Sequence, residues 1–77
     1  MSRETLDTLF EAPPLAEQER MVEAILFASS VPLKATALAA RLPHGCDVMH
    51  ALASLQKRYT GRGVTLLRSG EEWAFRT

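Results

Sequence analysis

Apolar positions that recur at spacings of three and four predict the first helix of the chain, starting at Pro14 or Leu15 and ending near Ser29. Proline is suited to the first helical turn, and the carboxylates of Glu17 and Glu19 complement the positive end of the helix dipole. The predicted buried face holds Leu15, Gln18, Val22, Ile25, Leu26 and Ser29, widened by Met21, Ala24 and Ala28, whereas Glu19, Arg20 and Glu23 are predicted to point outward.

Two shorter helical patterns follow, and prolines lie on either side of the first of them. Pro32 disfavours helix at the residue before it, and the second pattern covers residues 35–42, ending before Pro43. Leu38, Ala39 and Leu42 are its predicted buried stripe. The third pattern covers residues 47–59, opens on Asp47 as a good N-cap, and repeats apolar residues at Val48, Ala51, Leu52, Leu55 and Tyr59.

The chain ends in two short runs with the alternation of β-strands, residues 64–68 and 73–77. Gly70 lies between them and supplies the positive φ that a tight hairpin turn needs. Three helices followed by a hairpin is the order of a winged helix-turn-helix domain, so we predict an α+β fold for residues 14–77. Residues 1–13 are predicted to form an arm, and the pattern leaves open whether that arm is ordered or flexible.

Composition is that of one small globular domain: 77 residues, 47% hydrophobic, with a single cysteine that excludes an internal disulfide. A core this small favours additional support from self-association or from a further part of the same protein. Stabilisation by a bound metal is less favoured. His44, Cys46 and His50 are close in sequence, but they are only three candidate ligands and a structural zinc site needs four. We therefore predict no metal and no cofactor.

Large apolar residues outnumber what a core of this size hides, which favours self-association. The alternative is that the same residues simply close the core around the hairpin. The candidates for a dimer or partner interface are Phe27, Leu33, Ile25, Leu9, Phe10 and Trp73.

Charge is balanced at net zero but unevenly distributed, because residues 1–23 carry two basic and six acidic side chains. The basic remainder raises a second hypothesis, a winged-helix DNA-binding module of the transcriptional-regulator type. Against base readout, the third predicted helix has no Arg, Lys, Asn or Gln before Gln56, so any contact would be weak and to phosphates. The candidates for such contacts are Lys57, Arg58, Arg62 and Arg68.

An enzyme is not predicted, because the sequence has no nucleophile elbow and no glycine-rich phosphate loop. No apolar run approaches the ~20 residues of a membrane helix, and no export signal is recognisable. Together with the lone thiol, these features favour the cytoplasm.

Five segments in order resemble the amino-terminal domain of bacterial segregation and condensation protein B. They are MVEAILFAS at residues 21–29, VPL at 31–33, LAARL at 38–42, YTGRGV at 59–64 and WAFRT at 73–77. The resemblance covers residues 20–77. Single segments are weak signals, but the ordered set with its spacing is fairly specific.

The resemblance implies a non-catalytic, nucleoid-associated subunit of the bacterial condensin-like complex, acting in chromosome condensation and partition during cell division. Its implied partners are the SMC ATPase and the kleisin subunit, segregation and condensation protein A. The family is similar in having two winged-helix domains and in forming homodimers through the first. These 77 residues hold no counterpart of the second domain, so the resemblance leaves open whether they bind the kleisin alone.

Overall fold

A computed structural model describes residues 12–77, and it shows a winged helix-turn-helix architecture. The elements in chain order are α1 (Leu15–Ala28), β1 (Leu33–Lys34), α2 (Ala35–Ala40), α3 (Val48–Tyr59), β2 (Thr65–Ser69) and β3 (Glu72–Arg76). Helices α2 and α3 form the helix-turn-helix, and the β2–β3 hairpin is the wing. The predicted α+β fold class is confirmed. The predicted arm falls largely, and Leu9 and Phe10 wholly, outside the described residues.

The helix ends follow from local hydrogen bonding. At the start of α1, the Pro14 carbonyl accepts the backbone N–H groups of Glu17 and Gln18 at 2.9 and 3.1 Å. Asp47 caps α3 as predicted, its side chain accepting the His50 N–H at 3.1 Å and satisfying one of the orphan donors of the first turn. Helix α2 ends at Ala40, two residues before the predicted end at Leu42.

The sheet contains a strand that the sequence pattern does not predict. Strand β1 has only two residues, too few for an alternation signal, and it is held by antiparallel pairing of Leu33 with Trp73 and of Lys34 with Glu72. Leu33 therefore lies in a strand, in a stretch between two predicted helices for which the sequence pattern predicts no element. The strand order is β1-β3-β2, and the wing turns at Gly70 with a φ of 63°, which confirms the predicted hairpin turn.

One hydrophobic core joins all three helices to the wing. Helix α1 packs along α3, and the wing closes the open end of the pair. The buried core side chains are Val22 and Leu26 of α1, Leu38 of α2, Val48, Ala51, Leu52 and Leu55 of α3, and Leu66 and Trp73 of the wing.

Several predicted orientations on the helices are wrong. Glu19 is only 3% exposed, because Arg58 neutralises its carboxylate across the α1–α3 interface. Conversely, Ala24, Ala28 and Ala39 are exposed although the pattern places them on buried faces. Alanine is small enough to fit either face, so its position in the periodicity is a weak guide to burial.

Candidate functional site

Three aromatic rings from three different elements meet at the surface. Phe27 of α1 stacks on Phe75 of β3 with ring centroids 4.1 Å apart and planes 7° from parallel. Tyr59 at the end of α3 meets both rings edge-on, at 6.2 Å from Phe27 and 4.9 Å from Phe75. Phe27 nevertheless stays 52% exposed. Residues 12–77 therefore present a pre-ordered ring that their hydrophobic core does not cover.

Val31 extends this apolar region along the molecule. It is 60% exposed and lines a small cleft of about 60 Å³. The other walls of the cleft are apolar at Leu26, Pro32, Ala74 and Phe75 and polar at Ser29, Ser30 and Arg76. We call the region formed by Phe27, Val31, Tyr59 and Phe75 the aromatic surface. Single exposed apolar residues are ordinary, but a contiguous group of this kind is typical of an interaction site.

Tyr59 is held in place by polar contacts at the rim of the aromatic surface. Its hydroxyl donates a short hydrogen bond to the Glu23 carboxylate of α1. This bond, with burial and the negative charge of Glu23 added, raises the pKa of the Tyr59 phenol above its ordinary value of 10.0. The guanidinium of Arg62 lies 5.4 Å from the ring centroid. These contacts fix the position of the Tyr59 ring.

The structure separates the predicted interface residues. Phe27 is on the surface, whereas Ile25 and Leu33 are half-buried and pack against the core. Trp73 is only 4% exposed and belongs to the core, because it pairs with Leu33 and fills the space beneath the wing. Val31 and Phe75 were missed. Phe75 shares its strand face with Trp73 and is half-buried against the core, and the alternation does not show that its ring also stacks on Phe27.

The predicted phosphate-contact residues lie at the end of α3, in the turn that follows it and on the wing. The three arginines among them already contact other residues of the chain. Arg58 pairs with Glu19 at 2.8 Å, and Arg68 lies over the Trp73 ring at 5.7 Å. Arg62 covers Tyr59, as described above, and Lys57 is exposed. The first turn of α3 offers Val48, which is buried, and Met49 and His50, which are exposed.

The residues considered for metal binding do not converge. His44 and His50 are exposed and Cys46 is half-buried. Among residues 12–77, no three His, Cys, Asp or Glu side chains lie together as a metal site would need. Within the same part of the chain, no helix has the length and apolar character to cross a membrane.

Comparison with known proteins agrees with the fold. The family model described as "Segregation and condensation complex subunit ScpB" matches residues 20–77, from the second turn of α1 through the wing. No curated protein and no solved structure matches the chain. The family match covers most of the 77 residues and includes the helix-turn-helix and the wing. The chain belongs to the family of ScpB, a subunit of the segregation and condensation complex.

Proposed function

We propose that residues 14–77 act as a homodimerisation and scaffold module in the segregation and condensation complex. Family membership supports the role in that complex. The observation that carries self-association is the half-exposed Phe27 ring, which stacks on Phe75 and is left uncovered by the rest of residues 12–77. The module has no catalytic role in this proposal.

The aromatic surface continues along α1 as a stripe suited to a second helix. Ala24, Phe27 and Ala28 are all exposed, and they occupy positions i, i+3 and i+4, which share one face of a helix. The two alanines would let a neighbouring backbone approach closely, while Phe27 supplies the apolar area. Two copies that pair through this stripe about a two-fold axis would each present the same residues to the other.

The stability expected for this dimer interface comes from buried apolar surface area rather than from ion pairs. Burying the exposed half of a phenylalanine ring contributes about 1 kcal/mol, and each copy contributes one such ring. A stable interface generally buries about 1,200 Å² or more in total. The proposed interface therefore extends from Phe27 past the end of α1 to Val31, which is itself 60% exposed.

In the same proposal the dimer works with a kleisin subunit, segregation and condensation protein A, and with the SMC ATPase. The setting is chromosome condensation and partition during cell division, in the cytoplasm at the nucleoid. Two features support a scaffold over a direct DNA reader. The net charge is zero, and the first turn of α3 lacks side chains that read base edges.

Sedimentation equilibrium of the 77-residue chain over a concentration series tests the proposal, at low and moderate salt and with and without a short duplex. We expect a dimer that is insensitive to salt and ignores the duplex. Phe27→Asp is expected to give a folded monomer by circular dichroism. The matched control is Met49→Asp, because Met49 is 49% exposed but lies at the start of α3, outside the aromatic surface.

A dimer that survives Phe27→Asp, or that Met49→Asp disrupts equally, would contradict the proposed surface. A monomer that associates with the duplex only at low salt would overturn the scaffold proposal. That result would favour the alternative of a DNA-binding module, acting through phosphate contacts near Lys57 and Arg68.

A further inference from the structure

The chain enters α1 in contact with the turn between α2 and α3. The Cβ of Ala12 lies 3.3 Å from the position that a Cβ on Gly45 would take. Next to it, the Pro13 carbonyl accepts a hydrogen bond from Nε2 of Gln18 at 2.7 Å, and Oε1 of the same side chain accepts the N–H of Asp47 at 2.9 Å. The point at which the chain enters the described fold is therefore fixed beside the start of α3.

An open groove lies at this point, between α2 and the first turn of α3. Its volume is about 430 Å³. Gly45, against which Ala12 packs, is one of the residues that line it, so the groove begins where the described chain begins. The lining is mostly apolar and consists of Ala35, Thr36, Ala39, Gly45, Cys46, Asp47, Val48 and Met49.

A second cavity continues this groove toward the wing. Its volume is about 220 Å³, and it shares Ala35, Thr36 and Met49 with the groove. Met49 is 49% exposed and lies where the two meet. The other residues that line the cavity are Lys34, Arg68, Glu71 and Trp73. Groove and cavity together form one depression from the α2–α3 turn to the wing, which we call the helix-turn-helix groove.

Residues 1–11 join the chain at the near end of the helix-turn-helix groove, and they lie outside the described residues. Their large apolar residues Leu6, Leu9 and Phe10 are at positions i, i+3 and i+4, which share one face of a helix. Phe10 is two residues from Ala12, so their Cα atoms are at most about 7 Å apart. Leu6 is four residues further, about 6 Å along a helix axis. The apolar positions of this segment are therefore confined to the vicinity of the groove.

We propose that residues 1–11 dock in the helix-turn-helix groove of the same chain as a short amphipathic helix. Leu9 and Phe10 lie over the part of the groove between α2 and α3, and Leu6 lies beside Met49. A free helix of this length is marginal in water, and burial of its apolar face supplies the missing stability. The groove of the same chain is favoured over that of a second copy, because the short connection to α1 gives a high effective concentration.

The docked segment covers the first turn of α3, which is the part of a helix-turn-helix that contacts base edges in DNA-reading proteins. The segment is thus an internal cover for that face of the domain. This contact does not involve the aromatic surface, so it is independent of the self-association proposed for α1.

Cys46 reports on the proposed contact, because it lines the groove and is the single cysteine of the chain. The rate at which its thiol reacts with a chromogenic aromatic disulfide is measured on the folded, full chain. Phe10→Asp is expected to raise this rate about fivefold, because a covered thiol reacts only when the covering segment opens. The matched control Thr8→Asp adds the same charge on the opposite face of the segment, and it is expected to change the rate less than about twofold.

Both variants are expected to stay folded by circular dichroism, because neither residue belongs to the described core. A Phe10→Asp rate equal to that of the unmodified chain, or an equal rise in Thr8→Asp, would overturn the proposal. Protection of Cys46 in the unmodified chain is expected to be independent of chain concentration. Protection that is lost on dilution would place the segment in the groove of a second copy and would also overturn the proposal.

Nuclear Overhauser effects in the chain with ¹³C-labelled methionine methyl groups provide a second measurement. We expect contacts from the Met49 methyl group to the side chains of Leu6 and Phe10, and the Met49 resonance is identified by its absence in Met49→Leu. A mixed sample of labelled and unlabelled chains separates contacts within a chain from contacts between chains. Contacts seen only between chains, or no contact of Met49 with this segment, would overturn the proposal.

Discussion

Arg58 donates a hydrogen bond from its guanidinium to Glu19 at 2.8 Å, which ties the end of α3 to the first half of α1. The two partners are in different surroundings: the Glu19 side chain is 4% exposed and that of Arg58 is 50% exposed. A carboxylate is costly to bury unless a charged partner is hydrogen-bonded to it. Glu19 can therefore lie between the two helices only because Arg58 pairs with it. Any contact of the Arg58 guanidinium with phosphate would compete with this pairing.

The asymmetry of this pair predicts unequal costs for the two single substitutions. Arg58→Ala leaves a buried carboxylate without its partner and is expected to lower the free energy of unfolding by about 2 kcal/mol. Glu19→Gln leaves the half-exposed guanidinium to water and is expected to cost less than about 1 kcal/mol. Urea denaturation measures both. Equal costs would contradict the structural role assigned to Arg58, and Arg58→Lys is expected to restore part of the loss.

Gln18 of α1 also makes buried polar contacts, in this case with two backbone groups outside its own helix. Its Nε2 donates to the Pro13 carbonyl at 2.7 Å, and its Oε1 accepts the backbone N–H of Asp47 at 2.9 Å. Gln18 is only 7% exposed. Gln18→Leu leaves both backbone groups without their hydrogen-bond partner and is expected to lower the free energy of unfolding by about 1–3 kcal/mol. Gln18→Glu keeps the acceptor for Asp47 and is expected to preserve slow exchange of the Asp47 amide, which Gln18→Leu would lose.

These two contacts show where the sequence pattern predicts structure and where it does not. The helical period placed Gln18 on the buried face because burial follows the position on the helix. The same period placed Glu19 outside, since it carries no information about a cation 39 residues away. Arg58 forms its contact through the packing of α1 on α3, and a pairing of that kind is visible only once the two helices are placed together.

In the sheet and the aromatic surface, too, features set by neighbouring residues could be predicted from the sequence, and contacts between distant residues could not. The wing could be predicted because its strands are next to each other in sequence and Gly70 marks the turn. Strand β1 could not, since two residues carry no alternation and its partner Trp73 is distant in the chain. Phe27 was predicted as an interface candidate because it is one of the large apolar residues that exceed a small core, whereas the stacking of Phe75 on it depends on how the wing packs.

Gly70 predicts a local effect on the wing. Its φ of 63° lies in the left-handed region, and no atom of residues 12–77 outside its immediate neighbours lies within 4 Å of a Cβ added there. The cost of Gly70→Ala is therefore conformational and is expected to be about 1 kcal/mol. Gly63→Ala is the matched control, because Gly63 has equally open surroundings without a positive φ. Thermal unfolding of the two variants should separate them, and equal melting temperatures would contradict the turn assignment.

Tyr59 allows a direct spectroscopic test of the contact with Glu23, because it is the single tyrosine of the chain. The hydrogen bond to Glu23 raises the pKa of the folded-state phenol above 10.0. The stability it contributes is thus fully present below pH 10.0 and is lost as the pH rises through the folded-state pKa. Ultraviolet titration of Glu23→Gln is expected to show a lower tyrosine pKa than the unmodified chain.

The control for this titration is Glu17→Gln, which removes an exposed carboxylate from the first turn of α1. It is expected to leave the tyrosine pKa unchanged, because Glu23 is the carboxylate that contacts the phenol. An equal fall in both variants would indicate a general effect of net charge rather than the specific bond. A pKa that stays raised in Glu23→Gln would contradict the anchoring of the Tyr59 ring, and with it the fixed geometry of the aromatic surface.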